Sequence, residues 1–126
     1  MSISRWYQSK GFYIAYSIMI NAAQHHGFAT YQEIAQAVGL PKAGSYMSRQ
    51  IGGLIGTISK NEMALKRPML SAIVVGVSGK PSDGFYTWAR DLGVFKDGDD
   101  KEAFWKSECK KVYDAWKVTY RISRSK

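Results

Sequence analysis

The chain has 126 residues, of which 45% are hydrophobic and 13% aromatic, and its formal net charge is +8. Such a length and composition suit one folded domain with its own core and exclude an intrinsically disordered chain. The single cysteine, Cys109, excludes an internal disulfide, so we expect a reducing, cytoplasmic location.

The positive charge is concentrated in two blocks. Residues 41–70 hold five basic residues against one acidic residue, a net +4, and residues 101–126 hold eight against three, a net +5. A localised positive field attracts polyanions at long range. The charge therefore favours nucleic acid as the partner, and it leaves open an acidic protein, a membrane surface or a role in solubility alone. Because no apolar run approaches the ~20 residues of a membrane span, we expect the chain to work without a membrane.

Two helices are predicted before the middle of the chain. Residues 3–26 are dense in apolar side chains and indicate a largely buried helix with Gly27 as its C-cap, which Gly11 either bends or divides. Thr30 and Glu33 have the spacing of a capping box, which predicts a short helix that ends at residues 39–41. Its inward-facing side chains are Ile34, Ala35 and Val38.

A second, stronger helix follows, because five apolar residues recur on one helical face: Met47, Ile51, Leu54, Ile55 and Ile58. The opposite face is small, polar or basic, with Ser45, Ser48, Arg49, Gly52, Gly56, Ser59 and Lys60.

The second half of the chain begins with the β-branched run 69–77, which predicts a strand, and residues 78–84, which predict a loop. Residues 85–92 indicate a short helix that ends at Gly93, with a returning strand as the alternative. The acidic residues 97–100 predict the start of a long last helix. This helix carries a stripe rich in aromatic residues: Trp105, Cys109, Val112, Trp116 and Tyr120. We favour packing of the stripe inside the domain over a role as an interface.

One segment carries a family resemblance. Residues 30–41, TYQEIAQAVGLP, are similar to the phrase TYxxIAxxxGxP of winged helix-turn-helix proteins. Residues 28–84 resemble the C-terminal DNA-binding domain of methylguanine-DNA methyltransferases and alkyltransferase-like proteins. The resemblance implies that the second helix enters DNA. The family's Pro-Cys-His-Arg or Pro-Trp-His-Arg motif is absent, since the corresponding run, 68–73, reads PMLSAI, and repair chemistry is not implied.

The expected fold is mainly α with a small β element. It is a winged helix-turn-helix with added N-terminal and C-terminal helices, in one domain over 1–126. Residues 28–84 form its winged helix-turn-helix core, and residues 100–126 form the basic C-terminal helix and tail.

The resemblance places the first turn of the second helix nearest the bases of the major groove. The candidates for base reading are Ser45, Tyr46, Ser48, Arg49 and Gln50, of which Arg49 suits guanine and Gln50 adenine. The candidates for phosphate contacts are Lys42, Lys60, Lys66, Arg67, Lys80, Lys110, Lys111, Lys117, Arg121 and Arg124. The helical glycines 52, 53 and 56 each cost about 1 kcal/mol against Ala, and either DNA or a tightly packed helix explains them.

No pattern predicts catalysis, a metal or a cofactor. His25 and His26 lack a spaced ligand partner, and the aspartates at 97–100 fit a helix cap better than a calcium loop. We expect a non-enzymatic protein that binds nucleic acid, with duplex DNA favoured, as a regulator or an accessory subunit of a nucleoprotein machine. Two alternatives stay open: a protein-interaction module, inhibitor or adaptor, that binds an acidic protein, and RNA binding through the basic C-terminus.

Overall fold

The computed structural model describes residues 5–41 and 44–118, which contain five α-helices, one 3₁₀ helix and two very short strands. In chain order they are α1 (Lys10–Gln24), β1 (Ala29–Thr30), α2 (Tyr31–Ala37), α3 (Ser45–Ala64), the 3₁₀ helix (Leu70–Ile73), β2 (Val74–Val75), α4 (Asp83–Asp91) and α5 (Lys101–Trp116). The two strands pair in parallel, with Ala29 opposite Val74 and Thr30 opposite Val75. A mainly α fold with a small β element is thus confirmed.

The first helix differs from its prediction at both ends. Residues 5–9 form turns, because the Ser9 hydroxyl caps α1 by accepting a hydrogen bond from the Phe12 amide at 3.1 Å. At the other end His26, not Gly27, takes the left-handed conformation, with φ of 56°. The Gly27 amide then donates to the Ala22 carbonyl at 2.9 Å, as in a Schellman motif. The predicted C-cap, Gly27, was therefore wrong: the C-cap is His25, and the left-handed residue lies one position before Gly27.

The next two helices follow the sequence closely. Thr30 and Glu33 form the predicted capping box. The Glu33 amide donates to the Thr30 hydroxyl at 3.1 Å, and the Thr30 amide donates to the Glu33 carboxylate at 2.9 Å. All five residues of the apolar stripe of α3 are buried. Ser59 and Gly56 are buried too, although both were assigned to its open face.

The predicted strand 69–77 is mostly wrong, because only Val74–Val75 pair with another strand. The preceding residues instead form the 3₁₀ helix, which is fully buried and packs against α1, α3 and α5. Side chains replace the missing strand partners: Ser59 Oγ accepts from the Ser71 amide at 3.1 Å, and Trp105 Nε1 donates to the Ala72 carbonyl at 2.8 Å. Ser59 is buried for this reason.

The last two helices confirm their predictions where the structure describes them. α4 ends at Asp91 before Gly93, whose φ is 82°, and Asp100 caps α5 by accepting from the Ala103 amide at 3.0 Å. The stripe of α5 packs inside the domain, with Trp105, Cys109 and Val112 buried and Trp116 half-buried. Tyr120 and the basic tail lie outside the described residues. No helix in the described ranges is long and apolar enough to cross a membrane.

Two tryptophans lie across the glycines of α3. A Cβ built on Gly56 would lie 1.9 Å from Cε2 of Trp88, so the α4 side chain needs a glycine there. Trp6 approaches Gly53, where a Cβ would lie 3.9 Å from its Cδ1. Close packing within the chain therefore explains Gly56, whereas the same construction at Gly52 meets no atom within 4 Å.

We expect Gly56→Ala to lower the free energy of unfolding by about 1–3 kcal/mol, because its methyl group would overlap the Trp88 ring. Gly52→Ala is the matched control in the same helix. It should raise the free energy of unfolding by up to ~1 kcal/mol, since alanine is the better helix former. Urea unfolding followed by circular dichroism measures both changes, and equal effects would contradict the tight contact.

Candidate nucleic-acid interface

The five residues predicted to read bases occupy the first two turns of α3. Ser45, Tyr46, Ser48 and Arg49 are exposed, and Gln50 is half-buried. The structure thus leaves these side chains largely accessible. Among the described residues Arg49 has no ion pair.

The N-terminus of α3 has features that suit an anion. Gly44 precedes it with φ of 101°, no side chain caps it among the described residues, and its first turn holds no acidic residue. The first amides of an uncapped helix point outward, and the helix dipole favours negative charge there. No acidic residue occurs between positions 41 and 60 of the sequence.

Arg5 adds a second arginine to this end of α3. Its guanidinium donates to Oε1 of Gln50 at 3.1 Å and lies 5.9 Å from the centre of the Trp6 ring. The segment before α1 therefore contacts the second turn of α3 at Gln50, the residue after Arg49. Sequence reasoning missed Arg5, because nothing in the chain's pattern links residue 5 to residue 50.

The other end of α3 carries a buried ionic network that the sequence did not predict. Glu62 is fully buried, and Arg67 donates to its two carboxylate oxygens from Nε at 3.0 Å and from a terminal nitrogen at 2.8 Å. Tyr16 of α1 donates to the same carboxylate, and Asn61 donates to the Tyr16 oxygen at 3.0 Å. Burial and the bond to Glu62 raise the pKa of Tyr16 to about 12.

This network accounts for Arg67, which was predicted to contact phosphate. Lys66 has φ of 65° and closes α3 in a Schellman motif, so the Arg67 amide donates to the Glu62 carbonyl at 2.9 Å. The Arg67 guanidinium donates to the carboxylate of Glu62 as well. It also lies 5.1 Å from the centre of the Trp116 ring. Bonding to Glu62 raises the pKa of Arg67. Arg67 therefore serves the fold, while Lys66 stays exposed beside it.

The remaining phosphate candidates are dispersed. Lys60 is exposed about 16 Å along the axis of α3 from Arg49. Lys80 pairs with Glu102 at 3.4 Å, and Lys106 and Lys80 together lower the pKa of that carboxyl group. Two further pairs form on α5, Lys110 with Asp114 at 3.1 Å and Lys111 with Glu108 at 3.0 Å. Lys117 is exposed. Lys42, Arg121 and Arg124 lie outside the described residues.

The groups weighed for chemistry have structural roles. Asp100 caps α5, Asp99 accepts from the Lys96 amide at 2.9 Å, and Asp97 pairs with Arg90 at 3.0 Å. His25 Nδ1 lies 2.8 Å from the Asn21 carbonyl oxygen. Within residues 5–41 and 44–118 no three histidine, cysteine or acidic side chains are placed to hold a metal ion.

Comparisons of the chain with protein-family models, with curated proteins and with solved structures find no match.

The roles of Arg67 and Lys66 can be distinguished by measuring the stability of variants. We expect Arg67→Ala to lower the free energy of unfolding by about 2–3 kcal/mol, because the Glu62 carboxylate stays buried without its counter-ion. The loss falls below that of a fully buried pair, since the Arg67 side chain is 37% exposed and water screens it. Lys66→Ala should change stability by less than ~0.5 kcal/mol. Equal stability of the two variants in urea would contradict the role of Arg67.

Cys109 is expected to be a poor nucleophile. Burial raises the pKa of its thiol to about 11, and its Sγ lies 3.4 Å from the Ala72 carbonyl oxygen. The thiolate is the reactive form, so iodoacetamide labelling of the folded chain at pH 8 should be at least ~100-fold slower than labelling in urea. The rate should rise with pH up to about 11. A plateau of the folded-state rate near pH 8–9 would contradict the buried thiol.

Proposed function

We propose that the chain binds duplex DNA through the first two turns of α3, as a non-enzymatic regulator or accessory subunit of a nucleoprotein machine. The observation that carries the proposal is the exposed Arg49 on an uncapped helix end, with Arg5 beside it and no acidic residue between positions 41 and 60. An arginine on such a helix can reach the edge of a guanine, and the free amides of the first turn suit a phosphate.

In this proposal α2, the connection after it and α3 form a helix-turn-helix, and the loop after β2 takes the place of the wing. Seven residues, 38–44, connect the two helices, more than the three or four of the shortest helix-turn-helix turns. The loop is closed by two bonds, from the Gly76 amide to the Lys80 carbonyl at 3.0 Å and from the Gly79 amide to the Gly76 carbonyl at 2.9 Å. It leaves Val77 exposed at its tip.

The candidate phosphate contacts fall into two groups, side chains without an ion pair in the described part of the free protein and side chains that pair with a carboxylate. Arg5, Lys60 and Lys66 are exposed and carry no ion pair among the described residues, so we assign them first. Lys80 and the paired lysines of α5 would have to exchange a carboxylate for a phosphate. Contacts to about four to six phosphates would give a log–log salt dependence of the affinity with a slope of roughly −4 to −5.

We expect Arg49→Ala to weaken duplex DNA binding by about 1–3 kcal/mol and to relax sequence preference, because a base contact is lost. Lys66→Ala should weaken all sequences alike and make the salt slope shallower by about 0.9. Lys96→Ala, an exposed lysine far along the chain from α3, is the control and should bind as the unchanged protein does. Fluorescence anisotropy with labelled duplexes at several salt concentrations measures all three.

Two outcomes would contradict the proposal. If Arg49→Ala keeps its fold and binds duplex DNA as before, α3 does not contact the bases. If the unchanged protein binds no duplex at 50 mM salt, the basic surface serves another polyanion, and an acidic protein partner becomes the better assignment.

A further inference from the structure

An open aromatic groove lies away from the first turns of α3, between the end of α1 and one face of α5. It has a volume of about 500 Å³, and four of its eight lining residues carry rings: His26, Phe28, Trp105 and Tyr113. Phe28 is half-exposed, although it is a large apolar side chain in the segment that leads into β1. Phe28 and His26 therefore present ring surface to solvent, whereas Tyr113 is half-buried and Trp105 is buried behind them.

Two of the rings, Tyr113 and Trp105, are fixed from behind, because their polar ends bond inward. Tyr113 donates from its hydroxyl to the Gly27 carbonyl at 2.7 Å, and the indole nitrogen of Trp105 donates to the Ala72 carbonyl at 2.8 Å. His26 stacks on Tyr113 with ring centres 4.7 Å apart and an angle of 10°, and Phe28 lies 6.2 Å from Trp105 and 6.5 Å from Tyr113. A planar ligand would meet ring faces already in place, so little side-chain entropy is lost on binding.

Positive charge lines one side of this groove. Lys106 and Lys110 border it and stand one helical turn apart on α5, about 6 Å along its axis. Among the described residues each forms an exposed i,i+4 pair, Lys106 with Glu102 at 3.3 Å and Lys110 with Asp114 at 3.1 Å. Exposed pairs of this kind are weak, so an incoming phosphate can replace the carboxylate. Asp114 borders the groove as well, so a phosphate at Lys110 has to displace this carboxylate from its pair.

We propose that this groove binds single-stranded nucleic acid, with an unpaired base stacked on the face of Phe28, its edge toward Tyr113, and the adjoining phosphates held by Lys106 and Lys110. Fixed aromatic faces beside flexible cations match the chemistry of a base joined to phosphates, because every base offers a π-face and stacking tolerates any sequence. An acidic peptide would use the lysines but would leave the ring faces unmatched. The groove is separate from the α3 surface, so this inference does not depend on duplex binding by α3.

The test is an anisotropy titration of a fluorescein-labelled dT12 strand with the full chain at 50 mM salt. We expect Phe28→Ala to weaken binding about ten-fold, since one stacking surface is lost, and Phe28→Tyr to retain it. Lys110→Gln should weaken binding and make the log–log salt slope shallower by about 0.7. Tyr13→Ala removes an equally exposed aromatic ring from α1, outside the groove, and should leave dT12 affinity unchanged. Thermal unfolding of each variant verifies the fold.

Three results would overturn the inference: no binding of dT12 by the unchanged protein, equal affinity of Phe28→Ala and the unchanged protein, or displacement of dT12 by a decaglutamate peptide at equal concentration. The last result would show that the lysines act alone and that an acidic protein is the better partner. Arg49→Ala separates the two surfaces, because it should weaken duplex binding and leave dT12 binding intact. A loss of both affinities in Arg49→Ala would place the single strand on α3 instead.

Discussion

The carboxylate of Glu62 has no access to water, so the protein must supply its hydrogen bonds. Tyr16 supplies one from α1, and Arg67 supplies two from the chain that leaves α3. A charge buried without these donors would cost several kcal/mol, so α1 and the segment after α3 are held in register with α3. The direction in which α3 presents its N-terminal turns depends on this anchor at its other end.

The same anchor decides which positive charges face solvent. Arg67 neutralises Glu62 and covers the ring of Trp116, whereas its neighbour Lys66 projects outward from a left-handed backbone. Adjacent basic residues in the sequence thus have opposite roles. The number of basic residues in a segment therefore overstates its capacity for phosphate, because a buried acid can hold one of its cations.

Local signals predicted the fold well where neighbours in the sequence are also partners in space. The capping box of α2, the apolar stripe of α3 and the stop at Gly93 all depend on residues a few positions apart. The run 69–77 was misread, because β-branched residues indicate a strand without showing whether a partner strand exists. Arg5 beside Gln50 and the pair of Arg67 with Glu62 were missed, since no spacing reveals a contact through the core. The left-handed turns at His26 and Lys66 were also missed, because neither position is a glycine, the residue that usually indicates this conformation.

The crossing of Trp88 over Gly56, with Trp6 near Gly53, limits how much of α3 any large ligand can touch. The stretch from Ser45 to Gln50 lies before both tryptophan contacts and spans about 9 Å of helix, and the rise of DNA is about 3.4 Å per base pair. If α3 reads DNA as proposed, one copy of the chain contacts about three base pairs. Sites that short recur throughout any genome. Recognition of a single locus would therefore need further contacts from a second copy, a second protein or a second strand.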